Sequence, residues 1–213
     1  MKCDAVIFDL YGTLIRKSSV QEMEEVLTEM ASVLAAPCDD FLRLWSDTYN
    51  QRITGILRSP EANIKYICKK LGVVSDSSRI KTATDLRIGL TRRLMKPRTG
   101  AVEVISRLKA KGYLIGLLSD CSAETPSVWQ TTPFASLFDV TVFSCKVGTK
   151  KPAPGIYLMT AELLGVSPDK CLYVGDGSSN ELTGAARVGM RPVLVRFPGE
   201  DGCLLYTSPS PRD

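Results

Sequence analysis

Four short polar clusters carry the residue types in this chain that could do covalent chemistry. They are Asp9 with Tyr11, Gly12 and Thr13; Ser119 with Asp120; Lys150 and Lys151 before Pro152; and Asp176 with Asn180 and Glu181. Histidine is absent from all 213 residues, which excludes Ser–His and Cys–His nucleophile pairs and any histidine-based zinc site. Carboxylates, hydroxyls, lysines and a bound ion are what remains. Taken singly, each cluster reads as ordinary structure: an Asp at a strand end often caps a turn, and Lys-Pro and Gly-Asp-Gly are common turn sequences. Their order, and their shared position just after an apolar run, make the set informative.

Those apolar runs are the elements that must position them. Residues 5–8, 113–118, 140–143, 171–174 and 192–195 are each too short for a helix and rich in Val, Ile, Leu and aromatics, the pattern of strands covered on both faces. Helical patterns at 100–112, 123–131, 153–165 and 181–189 alternate with them, and Gly112 and Gly165 stand where C-cap glycines belong. This alternation predicts an α/β fold, a doubly wound parallel Rossmann-like sheet with helices on both faces. Ligands bind at the carboxyl ends of the strands in such sheets, so clusters far apart in sequence converge there.

Residues 17–96 interrupt the alternation with four amphipathic stretches and no convincing strand. The first places Val20, Met23, Leu27, Met30 and Leu34 on one stripe behind a Ser19–Glu22 capping box. The second carries Leu42, Trp45, Tyr49, Ile53 and Ile56 at steps of three and four. The third opens with Ser59-Pro60 and packs Ile64, Ile67 and Leu71; the fourth offers Ala83, Leu86, Leu90 and Leu94. The expected organisation is a core of residues 1–15 and 97–202 with an inserted all-helical domain at 16–96.

Composition narrows the setting. With 44% apolar and 23% charged residues the chain is of ordinary globular type. No apolar run approaches the ~20 residues of a membrane span and no signal peptide is recognisable, so no membrane partner and a cytoplasmic location are expected. The seven cysteines are scattered, with no Cys-x-x-Cys pair, and read as free thiols. The net charge of +4 is uneven: residues 16–98 hold 15 Lys and Arg against 10 Asp and Glu. That balance favours small anions, while no dense basic run suggests nucleic acid. Residues 203–213 match nothing before them. They resemble one reading frame of a transposase adapter used to prepare sequencing libraries, and are expected to pack poorly and to stand in place of a native closing segment.

Taken together, the Asp-x-x-Gly-Thr loop at Asp9, Ser119, the lysine before proline and the acidic loop at Asp176 resemble the four motifs of the haloacid dehalogenase superfamily. The match runs over residues 4–196, with the helical insertion at the position of that family's cap. The resemblance implies Asp9 as a nucleophile that forms a covalent intermediate, with Thr13 bracing its loop. It implies Mg²⁺ held by the Asp9 carboxylate, the Tyr11 main-chain carbonyl and Asp176, with Glu181 or Asn180 on metal-bound water. Ser119 and Lys151 would bind the phosphoryl group, Lys151 being preferred to Lys150 because it directly precedes proline. Arg16, Arg43, Tyr49 and Arg52 are the candidates for substrate specificity. The chain departs from the pattern at Tyr11, where family phosphatases carry a second Asp that serves as acid and base; Asp120 is a candidate replacement. Tyr11 resembles the dehalogenases, whose leaving halide needs no proton, whereas Asp176 and Glu181 resemble the phosphatases. The expectation is a Mg²⁺-dependent phosphatase acting on a small phosphorylated metabolite. The alternatives are a 2-haloacid dehalogenase-like hydrolase and a weakly active phosphate binder.

Overall fold

The computed structural model describes residues 3–197; the adapter-like tail at 203–213, and the expectation that it packs poorly, lie outside the described residues. Among those residues five parallel strands form one sheet: β1 (Ala5–Phe8), β2 (Leu114–Ser119), β3 (Val140–Phe143), β4 (Cys171–Gly175) and β5 (Arg191–Leu194), in the order β3-β2-β1-β4-β5. Strand β1 is central, pairing β2 on one side and β4 on the other, so the chain changes winding direction beside Asp9. Side chains alternate between the faces as the pleat requires. Val6, Phe8, Ile115 and Leu117 join Trp129, Phe134 and Phe138 on one face; Ala5, Ile7, Leu118 and Tyr173 join Ile156, Tyr157 and Leu164 on the other. Gly116 allows this second layer to close, since a Cβ there would lie 3.0 Å from Leu164 Cδ1 and 3.2 Å from Ile7 Cγ1.

Between β1 and Pro97 run five helices: α1 (Val20–Leu34), α2 (Cys38–Asp47), α3 (Tyr49–Ile53), α4 (Pro60–Leu71) and α5 (Ser77–Leu94). They enclose a cluster of their own built from Leu27, Met30, Leu34, Phe41, Ile64, Ile67 and Leu90. The Ser19–Glu22 capping box forms in full: Glu22 N–H donates to Ser19 Oγ at 3.0 Å, and Ser19 N–H donates to Glu22 Oε2 at 2.9 Å. The chain leaves and re-enters the sheet at one place. Ile15 bridges to Pro97, and Arg98 N–H donates to Leu14 O at 2.9 Å. The remaining helices are α6 (Ala101–Ala110), α7 (Glu124–Val128), α8 (Ser144–Val147), α9 (Pro154–Leu164) and α10 (Glu181–Arg187).

Three expectations need correction. The second amphipathic stretch is two helices that meet at Thr48, the C-cap of α2, whose hydroxyl donates back to Leu44 O at 2.8 Å. The face turns with that break, burying Phe41, Trp45 and Ile53 while Ile56 stays exposed. Val20 is exposed as the first helical residue of α1, ahead of the buried face formed by Val26, Leu27, Met30, Ala31 and Leu34. Strand β5 is not covered on both faces: it pairs only with β4 among the described residues, and Val193 and Leu194 are 40% and 45% exposed.

Candidate active site

Asp9 follows the last residue of β1, and its N–H donates to Val174 O at 2.8 Å, which clamps the loop against β4. The carboxylate is held at both oxygens. Thr13 Oγ1 donates to Oδ2 at 3.0 Å, and Lys151 Nζ lies 2.5 Å from Oδ1. The same ammonium lies 2.5 Å from Glu181 Oε2. Glu181 also accepts from the Tyr173 hydroxyl at 2.7 Å and, through Oε1, from Gly177 N–H at 3.0 Å. The backbone of the acidic loop is what brings Glu181 back to Lys151: Gly177, Ser179 and Asn180 all take positive φ before α10 begins. Two glycines make room for the carboxylates. A Cβ on Gly12 (φ +88) would sit 2.8 Å from Asp176 Cγ, and one on Gly175 would sit 2.7 Å from Glu181 Cδ.

Oxygens of Asp9, Asp176 and Glu181 therefore lie within 4.8 Å of one another. Lys17 forms an ion pair with Asp176, which also accepts from Ser178 N–H at 3.0 Å and Oγ at 2.6 Å. Burial works to raise the pKa of Asp176, but Lys17 and Ser178 hold it below the ordinary value. Burial, followed by the Asp9 charge, pushes Glu181 up to about 7. Burial likewise opposes the Lys151 charge, yet Asp9, Tyr173, Glu181 and Asp120 keep that ammonium above its ordinary value. Hard oxygen donors, crowded and only partly compensated, suit Mg²⁺ better than a softer metal.

The other predicted positions separate clearly. Ser119 ends β2, is fully buried, and its hydroxyl has no hydrogen-bond partner. Asp120 accepts from Lys151 N–H at 3.0 Å, and burial raises its pKa. Tyr11 turns its hydroxyl to Thr125 Oγ1 at 2.9 Å, and burial holds the phenol well above its ordinary pKa. Lys150 points away from Asp9 to Asn50 Oδ1 at 2.8 Å, and Asn180 is exposed.

A model of haloacid dehalogenase-like hydrolases matches residues 3–189. The chain belongs to that family. Over 105 residues, 48% of this chain, it is 30% identical to a glyceraldehyde 3-phosphate phosphatase of Methanopyrus kandleri, but the match spans only 44% of that protein. It is 24% identical to a (S)-2-haloacid dehalogenase of Pseudomonas putida over 92% of this chain and 87% of that one. Among solved structures, a HAD family enzyme of Bacteroides thetaiotaomicron shares the fold with a TM-score of 0.72 at 19% identity, covering 94% of this chain and 97% of that one.

In this haloacid dehalogenase-like hydrolase a cavity of about 400 Å³ opens over Asp9, between the helical insertion and the carboxyl ends of the strands. Asp9, Tyr11, Asp120 and Lys151 line it from the sheet side; Trp45, Tyr49, Arg52 and Arg87 line it from the helices. Tyr49 and Arg52 were predicted. Arg16 and Arg43 do not line it; they form exposed ion pairs with Glu22 and Asp40. Sequence reasoning missed Lys17, Arg87 and Thr125. A signal existed for Arg87: it falls between Thr84 and Thr91 on the buried face of α5, at a position helical periodicity reserves for the interior.

Proposed function

We propose that this hydrolase is a Mg²⁺-dependent phosphatase of small phosphorylated metabolites, with residues 16–96 acting as a cap over the core site. The carrying observation is the meeting of Asp9, Asp176 and Glu181 within 4.8 Å. Lys151 and Lys17 offset two of the three carboxylates, which leaves negative charge where an anionic substrate must approach. Asp9 and Asp176, with the Tyr11 carbonyl, would hold the ion, and Glu181 would hold its water. Once bound, Mg²⁺ supplies the neutralisation that a carboxylate needs to meet a phosphoryl dianion.

The chain's own groups supply the rest. Thr13 and Lys151 fix the Asp9 carboxylate for attack on phosphorus, which forms an aspartyl-phosphate as the ester P–O bond breaks. The Ser119 hydroxyl, buried and off the cavity lining, would donate to a phosphoryl oxygen once substrate is bound, and Lys151 offsets charge on both partners. Asp120, on the cavity wall, gives its proton to the departing alkoxide. It then takes one from the water that hydrolyses the aspartyl-phosphate.

Tyr11, and the dehalogenase relative along most of the chain, favour a second reading as a carbon-centred hydrolase. Assays of phosphate and halide release from phosphate esters and 2-haloacids separate the two. The phosphatase reading expects phosphate release that stops with a chelator and returns with Mg²⁺, and falls at least about a thousandfold in Asp9→Asn. Mg²⁺ at 100 times its Kd should also stabilise the protein by about 2.7 kcal/mol, a gain lost in Asp176→Ala. Halide release indifferent to the chelator would establish the dehalogenase reading instead.

A further inference from the structure

The cavity wall supplied by the helices holds an ionic cluster that none of the steps above uses. Arg52 is 5% exposed and Arg87 12% exposed at its side chain, and both guanidiniums lie over Trp45, 4.3 Å and 5.7 Å from the ring centroid. Each is anchored by one nitrogen. Arg52 Nη1 donates to Trp45 O and to Thr48 Oγ1, the latter at 2.6 Å, and Arg87 Nη1 donates to Thr91 Oγ1 at 3.1 Å. Neither makes another hydrogen bond among the described residues, and Arg87 Nε is buried without one. Behind them sits Glu124, fully buried, 3.6 Å from Arg87 Nε, with both carboxylate oxygens lacking hydrogen bonds.

Two buried cations face one buried anion, so one positive charge is left unbalanced. Burial lowers the Arg52 pKa to about 10, with the Arg87 charge acting in the same direction and Glu124 against it. Such an excess is costly to keep out of water unless a ligand completes it. Both arginines line the same cavity as Asp9, and a guanidinium offers the paired donors that suit a fork-shaped acceptor.

We propose that Arg52 and Arg87 form a subsite for a single carboxylate at the end of the substrate remote from its phosphoryl group, so that the substrate is a small phosphorylated carboxylic acid. A monoanion matches the one excess charge. A second phosphate would overbalance it, and a neutral hydroxyl would leave it unmet. This substrate class rests on the phosphatase reading; the carboxylate subsite itself does not.

The test compares kcat/KM for a phosphorylated 2-hydroxy acid and for its methyl ester, with propionate binding measured separately by calorimetry. Wild type should prefer the acid by about tenfold or more, because the ester leaves the buried arginines unpaired. Arg87→Met should collapse that ratio. Arg52→Met/Arg87→Met/Glu124→Gln removes all three charges together and serves if the single variant does not fold. If no phosphate ester is turned over, yet propionate binds wild type and not the triple variant, the phosphatase reading falls and the subsite stands. Equal rates for acid and ester, or no binding of propionate when turnover is absent, would overturn the subsite.

Discussion

At the scale of single residues, the proton for the leaving group is the open question, because Tyr11 stands where an acid is needed. Its hydroxyl is pinned to Thr125, and burial keeps its proton on. Asp120 is better placed: it lines the cavity, is oriented by Lys151 N–H, and burial favours its protonated form. Asp120→Asn should therefore cut turnover of alkyl phosphates by about 10²–10⁴-fold, and that of p-nitrophenyl phosphate far less, since only the alkoxide needs the proton. Steady-state rates on the two substrates decide it. A selective loss in Tyr11→Phe, with Asp120→Asn affecting both alike, would return the role to Tyr11. The polar residues near Asp9 were legible in the sequence because each sits in a short loop directly after a strand. Arg52 was legible as a basic residue of the helical insertion, whereas Arg87 sits on a helical stripe among apolar neighbours, where a search by residue type reads past it. Glu124 was illegible for a further reason. Its burial against Arg87 depends on how α7 meets α5, and no local pattern encodes that contact.

At the scale of elements, β1 to β4 were legible because each is a compact apolar run closed by a turn. The break at Thr48 was not, since neither glycine nor proline marks it. The strand β5 was expected, but its exposure was missed because composition does not say which strand lies at a sheet edge. One side chain outside these patterns joins three elements. Asp139 accepts from Ile115 N–H on β2 at 2.8 Å and from Lys109 Nζ on α6 at 2.8 Å, just ahead of β3. Burial works to raise its pKa, but Lys109 and the Ile115 N–H hold it below the ordinary value. Asp139→Ala should cost about 1–2 kcal/mol at neutral pH, mostly through the orphaned Ile115 N–H, because the half-exposed ion pair adds little. The sign with pH follows from the depressed folded pKa. The carboxylate contributes fully above its unfolded value of about 4, and that contribution is lost as pH falls through the folded value. Denaturant unfolding of both proteins at several pH values should show the gap narrowing in acid; a gap constant with pH would remove the charge from the account.

At the scale of the whole molecule, the cavity exists only where the helical insertion meets the sheet, so its shape depends on how the two are seated. One seat lies at α3 and the turn that follows it. Asn50 accepts from Lys150, next to Lys151, and the Lys150 ammonium lies 5.9 Å from the Tyr49 ring centroid. Gly55 closes this contact. Its φ is +70, and a Cβ there would collide with the main chain of Cys145 in α8, 2.9 Å from the carbonyl carbon. No side-chain rotation relieves a clash with backbone, so in Gly55→Ala the end of α3 must back away from the loop that carries Lys151. Gly72 provides the control: its φ is +67, but a Cβ there meets nothing within 4 Å. Both substitutions carry the left-handed strain of about 1 kcal/mol, and only Gly55→Ala adds the collision. Thermal unfolding should therefore show a modest loss in Gly72→Ala, with kcat/KM unaffected. Gly55→Ala should show a larger loss of stability and a fall in kcat/KM of about tenfold or more, as expected when a catalytic constellation is displaced by about an ångström. Matching kinetics in the two variants would mean that this seat does not govern the cavity, and that closure depends on the paired linkers at Ile15 and Pro97 instead.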